Sequence, residues 1–222
     1  RAVAVGSKIF TVPTSAAIDQ MLVYDAASNA LSGVSTAALQ LTLSCACAAR
    51  NTVIGFPYAN GDRKLLVYGV VSGSRSGVST SGFSETIGYW SRCATVGNKV
   101  IGMPCTNGIL LEYDIDSAAV NGISVAGLYA GAADSGKCHT VLTVGNRVVG
   151  IPYGAKTFLI YDADFGALSI IPWTDDDHIE HDAAGIGNKL VCHLYAASAK
   201  ADELRIYDWK PVQTAATTTT ST

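Results

Sequence analysis

The chain is 222 residues long, carries a net charge of −3, and only 15% of its residues are charged. No cluster of Lys and Arg interleaves with aromatics, which argues against nucleic acid as a partner. The longest apolar stretch, Ala118 to Ala133, is broken by Asn121 and several glycines, which argues against a membrane-spanning segment.

Taken in chain order, the elements repeat one phrase: a short apolar strand, a Gly-Asn-Lys-like turn, a strand ending in Pro, a loop, then Leu-x-Tyr-Asp. It first reads Val5-Gly6-Ser7-Lys8-Ile9-Phe10-Thr11-Val12-Pro13 with Leu22-Val23-Tyr24-Asp25. The second copy is Arg50-Asn51-Thr52-Val53-Ile54-Gly55-Phe56-Pro57 with Leu66-Val67-Tyr68-Gly69. The third runs from Val96 to Pro104 with Leu111-Glu112-Tyr113-Asp114, and the fourth from Val144 to Pro152 with Leu159-Ile160-Tyr161-Asp162. The fifth runs from Ile186 to Leu194 with Arg205-Ile206-Tyr207-Asp208. The tyrosines at 24, 68, 113, 161 and 207 set a period of 44 to 48 residues.

Strand chemistry inside a period of that length predicts a β-propeller, in which each blade stacks on its neighbours to bury its faces. The fourth copy shows the strands best: His139–Val144, Arg147–Ile151, Phe158–Tyr161 and Leu168–Ile171. Gly145-Asn146 is a two-residue hairpin signal, repeated by Gly97-Asn98 and Gly187-Asn188 and more weakly by Gly6-Ser7. Pro at 13, 57, 104 and 152 ends the second strand because it cannot donate to a continuing ladder. The fold class is therefore all-β: a five-bladed β-propeller of four-stranded antiparallel blades. Its first blade occupies residues 1–36, its last 184–216, and blades end near 80, 125 and 172 between them. The propeller covers residues 1–214, and 215–222 is a Thr/Ser-rich tail or linker. The Tyr of each repeat is expected to lie buried between adjacent blades. The ring is expected to close by packing the first blade on the fifth, with Pro211–Ala216 as an outer edge; the alternative is a segment from outside the chain.

The chain opens on Arg1 without Met and ends in a Thr/Ser run, which fits a processed protein or a fragment and leans towards secretion or the cell surface. Six cysteines occupy no common repeat position. Cys45 and Cys47 point to one side of a strand, a spacing shared by metal and redox pairs, but a free Cys also serves as a small apolar residue, and that is the reading taken here.

The phrase Val-x-x-Gly-Asn-Lys-Val-Ile-Gly-x-Pro followed by Leu-x-Tyr-Asp resembles kelch-like propeller repeats of protist type, over nearly the whole chain. It departs from orthodox kelch in lacking Gly-Gly, and Trp occurs only at 90, 173 and 209. In repeat number and blade length the chain is also similar to five-bladed tachylectin-type lectins. Such a resemblance implies binding and scaffolding more often than chemistry.

Two loop groups could carry function. Tyr58, Tyr153 and Tyr195 each follow the Pro-equivalent position, and loops there should emerge on one face of the disc beside the blade-to-blade loops. Three such aromatics are candidate ligand-binding platforms for sugar or peptide. The other group is Trp173 to Asp182, in which Asp175, Asp176, Asp177, His178 and His181 are candidate metal ligands beside Glu180 and Asp182. Its spacing fits no established signature, so it reads as a solvated acidic loop with weak divalent binding at best and Trp173 anchoring its base. His139 and His193 fall on strands, where a lone His is usually a packed residue. Nucleophile elbow, zinc-protease and phosphate-loop motifs are all missing, and Glu180 and Asp182, both from one blade, are the only acids near a first strand. The expected function is a non-catalytic interaction or scaffold module with a protein partner and no cofactor; the alternative is a carbohydrate-binding lectin that uses the Tyr loops for a glycan.

Overall fold

In a computed structural model, the described residues are 1–15, 17–58, 63–83, 90–105, 108–128, 138, 140–151, 157–172, 183–194 and 203–208. They form five antiparallel sheets in chain order. Blade 1 holds β1 (Ala2–Val5), β2 (Lys8–Thr11), β3 (Gln20–Asp25) and β4 (Ala30–Ser35). After a 3-10 turn at Ala37–Leu39 come β5 (Leu43–Ala49), β6 (Thr52–Pro57), β7 (Lys64–Gly69) and β8 (Arg75–Ser79) of blade 2. Blade 3 holds β9 (Trp90–Val96), β10 (Lys99–Pro104), β11 (Ile109–Asp114) and β12 (Val120–Ser124). Blade 4 holds β13 (Thr140–Val144), β14 (Arg147–Ile151), β15 (Thr157–Asp162) and β16 (Ala167–Pro172). Blade 5 shows β17 (Ala183–Ile186), β18 (Lys189–Leu194) and β19 (Glu203–Asp208), so its sheet has three strands among the described residues. The expected edge at Pro211–Ala216 lies outside them, as does Pro152. Pro57 and Pro104 end their strands as expected, whereas Pro13 lies beyond the end of β2.

Every hairpin between the first two strands turns on two residues, with Val5 paired to Lys8, Ala49 to Thr52, Val96 to Lys99, Val144 to Arg147 and Ile186 to Lys189. The first turn residue takes positive φ: Gly6 at 59°, Arg50 at 52°, Gly97 at 59°, Gly145 at 61° and Gly187 at 57°. The turn asparagines do not, so their value lies in the side chain. Asn98 Nδ2 donates to Asp114 Oδ2 at 2.9 Å, and Asn146 donates to Asp164. The Lys or Arg that follows pairs with the Asp of Tyr-Asp in blade 4 (Arg147–Asp162, 3.0 Å) and in blade 5 (Lys189–Asp208, 3.0 Å). The two halves of the repeated phrase are thus two ends of one fastening.

Middle strands of inner blades have neighbours on both faces, which is why Val-Ile-Gly-Met-Pro and Ile-Leu-Leu-Glu-Tyr read as near-continuous buried runs. Fourth strands such as Ala30–Ser35 are mostly exposed and form the outer edge. Alternation along each middle strand sorts its residues between neighbours. In blade 2, Val53, Leu66 and Tyr68 pack with Phe10, Val12, Met21 and Val23 of blade 1. Ile54, Phe56 and Leu65 point the other way, onto Trp90, Val100, Leu111 and Tyr113 of blade 3. The pattern continues with Ile101, Met103 and Leu110 on Val148, Leu159 and Tyr161, and with Val149, Ile151 and Phe158 on Leu190. Gly102 lets the ring of Phe56 lie on the strand: a Cβ there would stand 2.3 Å from Phe56 Cε1.

The repeat tyrosines divide. Tyr68, Tyr113 and Tyr161 are buried between blades as expected, and Tyr207 is half-buried with its ring 5.4 Å from that of Phe158. Tyr24 corrects the expectation: it is exposed. Its face of blade 1 has no blade against it, because the first and fifth blades do not pack together among the described residues and the expected closure of the ring is not formed.

Candidate functional site

The face of the disc that carries the loops after the second strands is built by short backbone links. Leu43 N donates to Pro13 O at 2.9 Å, tying the loop of blade 1 to the first strand of blade 2. Tyr58 N donates to Thr42 O at 2.8 Å, which brings the two loop sets to one face as the strand order predicts. Ser44, buried beside them, donates to the carbonyl of Trp90 in the next blade, and Trp90 Nε1 donates to Ile109 O at 2.9 Å. Tyr58 stands 44% exposed on this face, with its main-chain N–H tied to Thr42. Tyr153 and Tyr195 lie outside the described residues, as do Trp173 and the candidate metal ligands Asp175, Asp176, Asp177, His178 and His181. His139 lies outside them too, while His193 sits on β18 opposite Leu204.

The polar group that the sequence reading missed is Glu112. It occupies the position that is Val23, Val67, Ile160 and Ile206 in the other blades, and it is buried. Tyr161 of blade 4 donates its hydroxyl hydrogen to Glu112 Oε2, Lys99 Nζ lies 3.2 Å from the same oxygen, and Asn121 Nδ2 donates to Oε1 at 3.2 Å. Burial, then the hydrogen bond to Glu112, pushes the Tyr161 phenol well above its ordinary range. The carboxylate is fully occupied by protein donors, which makes it a fastening between blades 3 and 4. Its sequence signal was plain: one acid where four other repeats are aliphatic.

Nearer the axis, threonine hydroxyls stitch first strands together. Thr95 Oγ1 donates to Ala48 O at 2.8 Å and Thr143 Oγ1 to Thr95 O at 2.7 Å. Gly185 holds the corresponding place in blade 5, where a Cβ would stand 2.7 Å from Thr143 O. Cys45 and Cys47 do share one side of β5, and the thiol of Cys93 in blade 3 lies against both. Burial first, and then the two neighbouring thiols, hold the Cys93 pKa well above the ordinary thiol value, while burial pushes Cys192 up to about 11. Cys93 and Cys192 are protonated at neutral pH, and Cys45 and Cys47 pack within the same apolar cluster as Cys93. No group of three or more His, Cys, Asp or Glu among the described residues is placed to hold a metal ion. No helix among them is long and apolar enough to cross a membrane.

No family model matches the chain, and no curated protein matches it in sequence. Solved structures do match in fold. The RRP9 WD40 repeats align with a TM-score of 0.63 at 9% identity, over 93% of this chain and 61% of that one. The structure of U3-55K aligns with a TM-score of 0.61 at 8% identity over the same shares, 93% and 61%. Kuenenia stuttgartiensis hydrazine synthase aligns with a TM-score of 0.63 at 12% identity, over 94% of this chain and 62% of that one. At such identities the likeness shows the fold alone: the chain is built as a β-propeller. It spans about three fifths of the length of each of these three structures.

Proposed function

We propose that this chain is a non-catalytic interaction module of kelch-like repeats, presenting the rim around Tyr58 to a protein partner, within a larger protein or assembly. The observation that carries the reading is the anchored backbone of an exposed aromatic: Tyr58 has its main-chain N–H bonded to Thr42, with the Ser44–Trp90 link nearby. A large amphipathic side chain carried on an anchored backbone is suited to a binding hot spot. The ionisable groups inside the blades serve packing: Glu112 is spent on Tyr161, Lys99 and Asn121, and the thiols of Cys93 and Cys192 are held protonated. The likeness to WD40 repeats supports a scaffold of this shape. A module spanning residues 1–214, with the tail after it, fits the reading.

Tyr58→Ala tests it. The variant is expected to keep the melting temperature of the parent, since the side chain is exposed, and to lose most of the binding to partners captured by the parent chain. A glycan array run alongside separates the lectin alternative. Retention of a specific sugar by the parent, abolished in Tyr58→Ala, would move the assignment from protein to carbohydrate. Unchanged capture by Tyr58→Ala would remove this rim from the function.

A further inference from the structure

Within the stack, each blade shows a forward face to the next blade and a back face to the previous one. The back-face positions of the middle strands are Val53, Leu66 and Tyr68 in blade 2, Val100, Leu111 and Tyr113 in blade 3, and Val148, Leu159 and Tyr161 in blade 4. All nine are at most 7% exposed. In blade 1 the same positions hold Ile9, Leu22 and Tyr24, which have the same chemistry but are 41%, 45% and 37% exposed. At the other end, Ile186 and Ile206 occupy the forward positions that in blade 4 are Val144 and Ile160. They are 73% and 64% exposed, against 4% and 5% there. Both ends of the stack therefore expose the residues that form the blade interface, without the interface.

We propose that these two end faces take further propeller blades of the same build, which insert between blade 5 and blade 1 and complete a larger ring. The occupant is specified by continuity with the four interfaces already formed. A blade on the back face of blade 1 must set a bulky apolar side chain against Tyr24, as Phe10 stands 5.6 Å from the ring of Tyr68. A blade on the forward face of blade 5 must offer Ile186 and Ile206 aliphatic and aromatic cover, as Leu190 and Tyr207 do for blade 4. Length agrees: the propellers on which these five blades superpose have nearly two fifths of their chain unmatched. A second copy of this chain fits poorly. Propellers typically close with 4–8 blades, two five-blade stacks exceed that, and head-to-tail addition that does not close makes an open polymer. Direct contact of blade 5 with blade 1 would bury both faces, and they are exposed. The inference concerns the blade faces and stands whichever ligand the Tyr58 rim takes.

Charge placed on each end face, in two chain lengths, tests it. Leu22→Asp and Ile206→Asp are made in the 222-residue chain and in a version extended at its C-terminus by a second copy of residues 84–172, which adds two blades. In the 222-residue chain each substitution is expected to move the melting temperature by no more than about 1 °C, as for a surface site. In the extended chain the same substitutions are expected to lower it by several degrees, because each charge then faces a blade. Three results overturn the proposal. One is a loss of several degrees in a monomeric 222-residue chain, which means the stack closes on itself. Another is no loss in the extended chain, which means the faces accept no blade. The third is a dimer in sedimentation that Leu22→Asp disperses, which assigns the face to a second copy. If the two-blade extension fails to fold, residues 84–128 alone are appended as one blade, and failure of both also overturns it.

Discussion

Tyr161 in the fourth blade donates its phenolic hydrogen to Glu112 in the third, a hydrogen bond set among the hydrocarbon side chains that pack these two blades together. The two partners are not equally dependent on the bond. Glu112→Ile, which restores the residue type of the other blades, leaves the Tyr161 hydroxyl and Lys99 without their acceptor and is expected to cost about 1–3 kcal/mol. Tyr161→Phe alone leaves Glu112 with Lys99 and Asn121 and should cost about 1 kcal/mol. The double variant is expected to be more stable than Glu112→Ile alone, since neither polar group is then orphaned across the interface. Urea midpoints for the four proteins check this, and strict additivity would show that the two residues are not coupled.

The response to alkali follows from groups whose neutral forms the fold favours. Tyr161 is held above its ordinary range by burial and then Glu112, Tyr113 by burial and then Asp114, and Cys93 and Cys192 chiefly by burial. Each folded-state pKa is raised, so the folded protein keeps protons that the unfolded chain releases. The stability contribution is complete below the ordinary pKa values, about 8.5 for thiol and 10 for phenol, and is lost as pH rises beyond them. The melting temperature should stay level through neutrality and fall from about pH 9 upward, with a shallower fall above about pH 10 in Tyr161→Phe. A melting temperature that holds constant to pH 11 is the contrary outcome.

Thr80 is buried at the end of the second blade's fourth strand, and its hydroxyl makes no hydrogen bond among the described residues; Thr36 in blade 1 is the same. Their main-chain N–H groups are satisfied, Thr80 by Arg63 O at 2.6 Å. Blade 3 has Val125 at this place, its N–H bonded to Gly108 O at 2.8 Å. Thr80→Val keeps the shape and removes a desolvated hydroxyl, so it is expected to stabilise by about 1 kcal/mol. Thermal melts decide; a loss of stability would mean that the hydroxyl has a partner after all.

The repeat tyrosines should differ in worth despite their common motif. Truncating Tyr161, fully buried between blades, to Ala is expected to cost about 3–5 kcal/mol. The same change at Tyr24, on the uncovered back face of blade 1, should cost no more than about 1 kcal/mol. Its hydroxyl does donate to Asn29 Oδ1 at 2.8 Å, so a small loss is anticipated. Equal costs at the two sites would mean that both are covered in solution.

The sequence by itself determined the repeat, and with it the blade. Gly-Asn-Lys turns, strand-ending prolines and the Tyr-Asp phrase are local devices, whose geometry depends on residues within one hairpin or one turn. That is why Lys99–Pro104 and Arg147–Ile151 fall where the pattern puts them, and why Asn98 could fasten to Asp114 within its own blade. Tertiary structure alone decided what each face meets. The same Tyr is core at 161 and surface at 24 because burial depends on whether another blade stands opposite, and no residue near Tyr24 records that. Glu112 was visible as an acid among aliphatics, but its partner Tyr161 lies 49 residues away, in the next turn of the repeat. Only the stacking of blade 3 on blade 4 brings the two together, and stacking is a property of the assembled disc and of no single repeat.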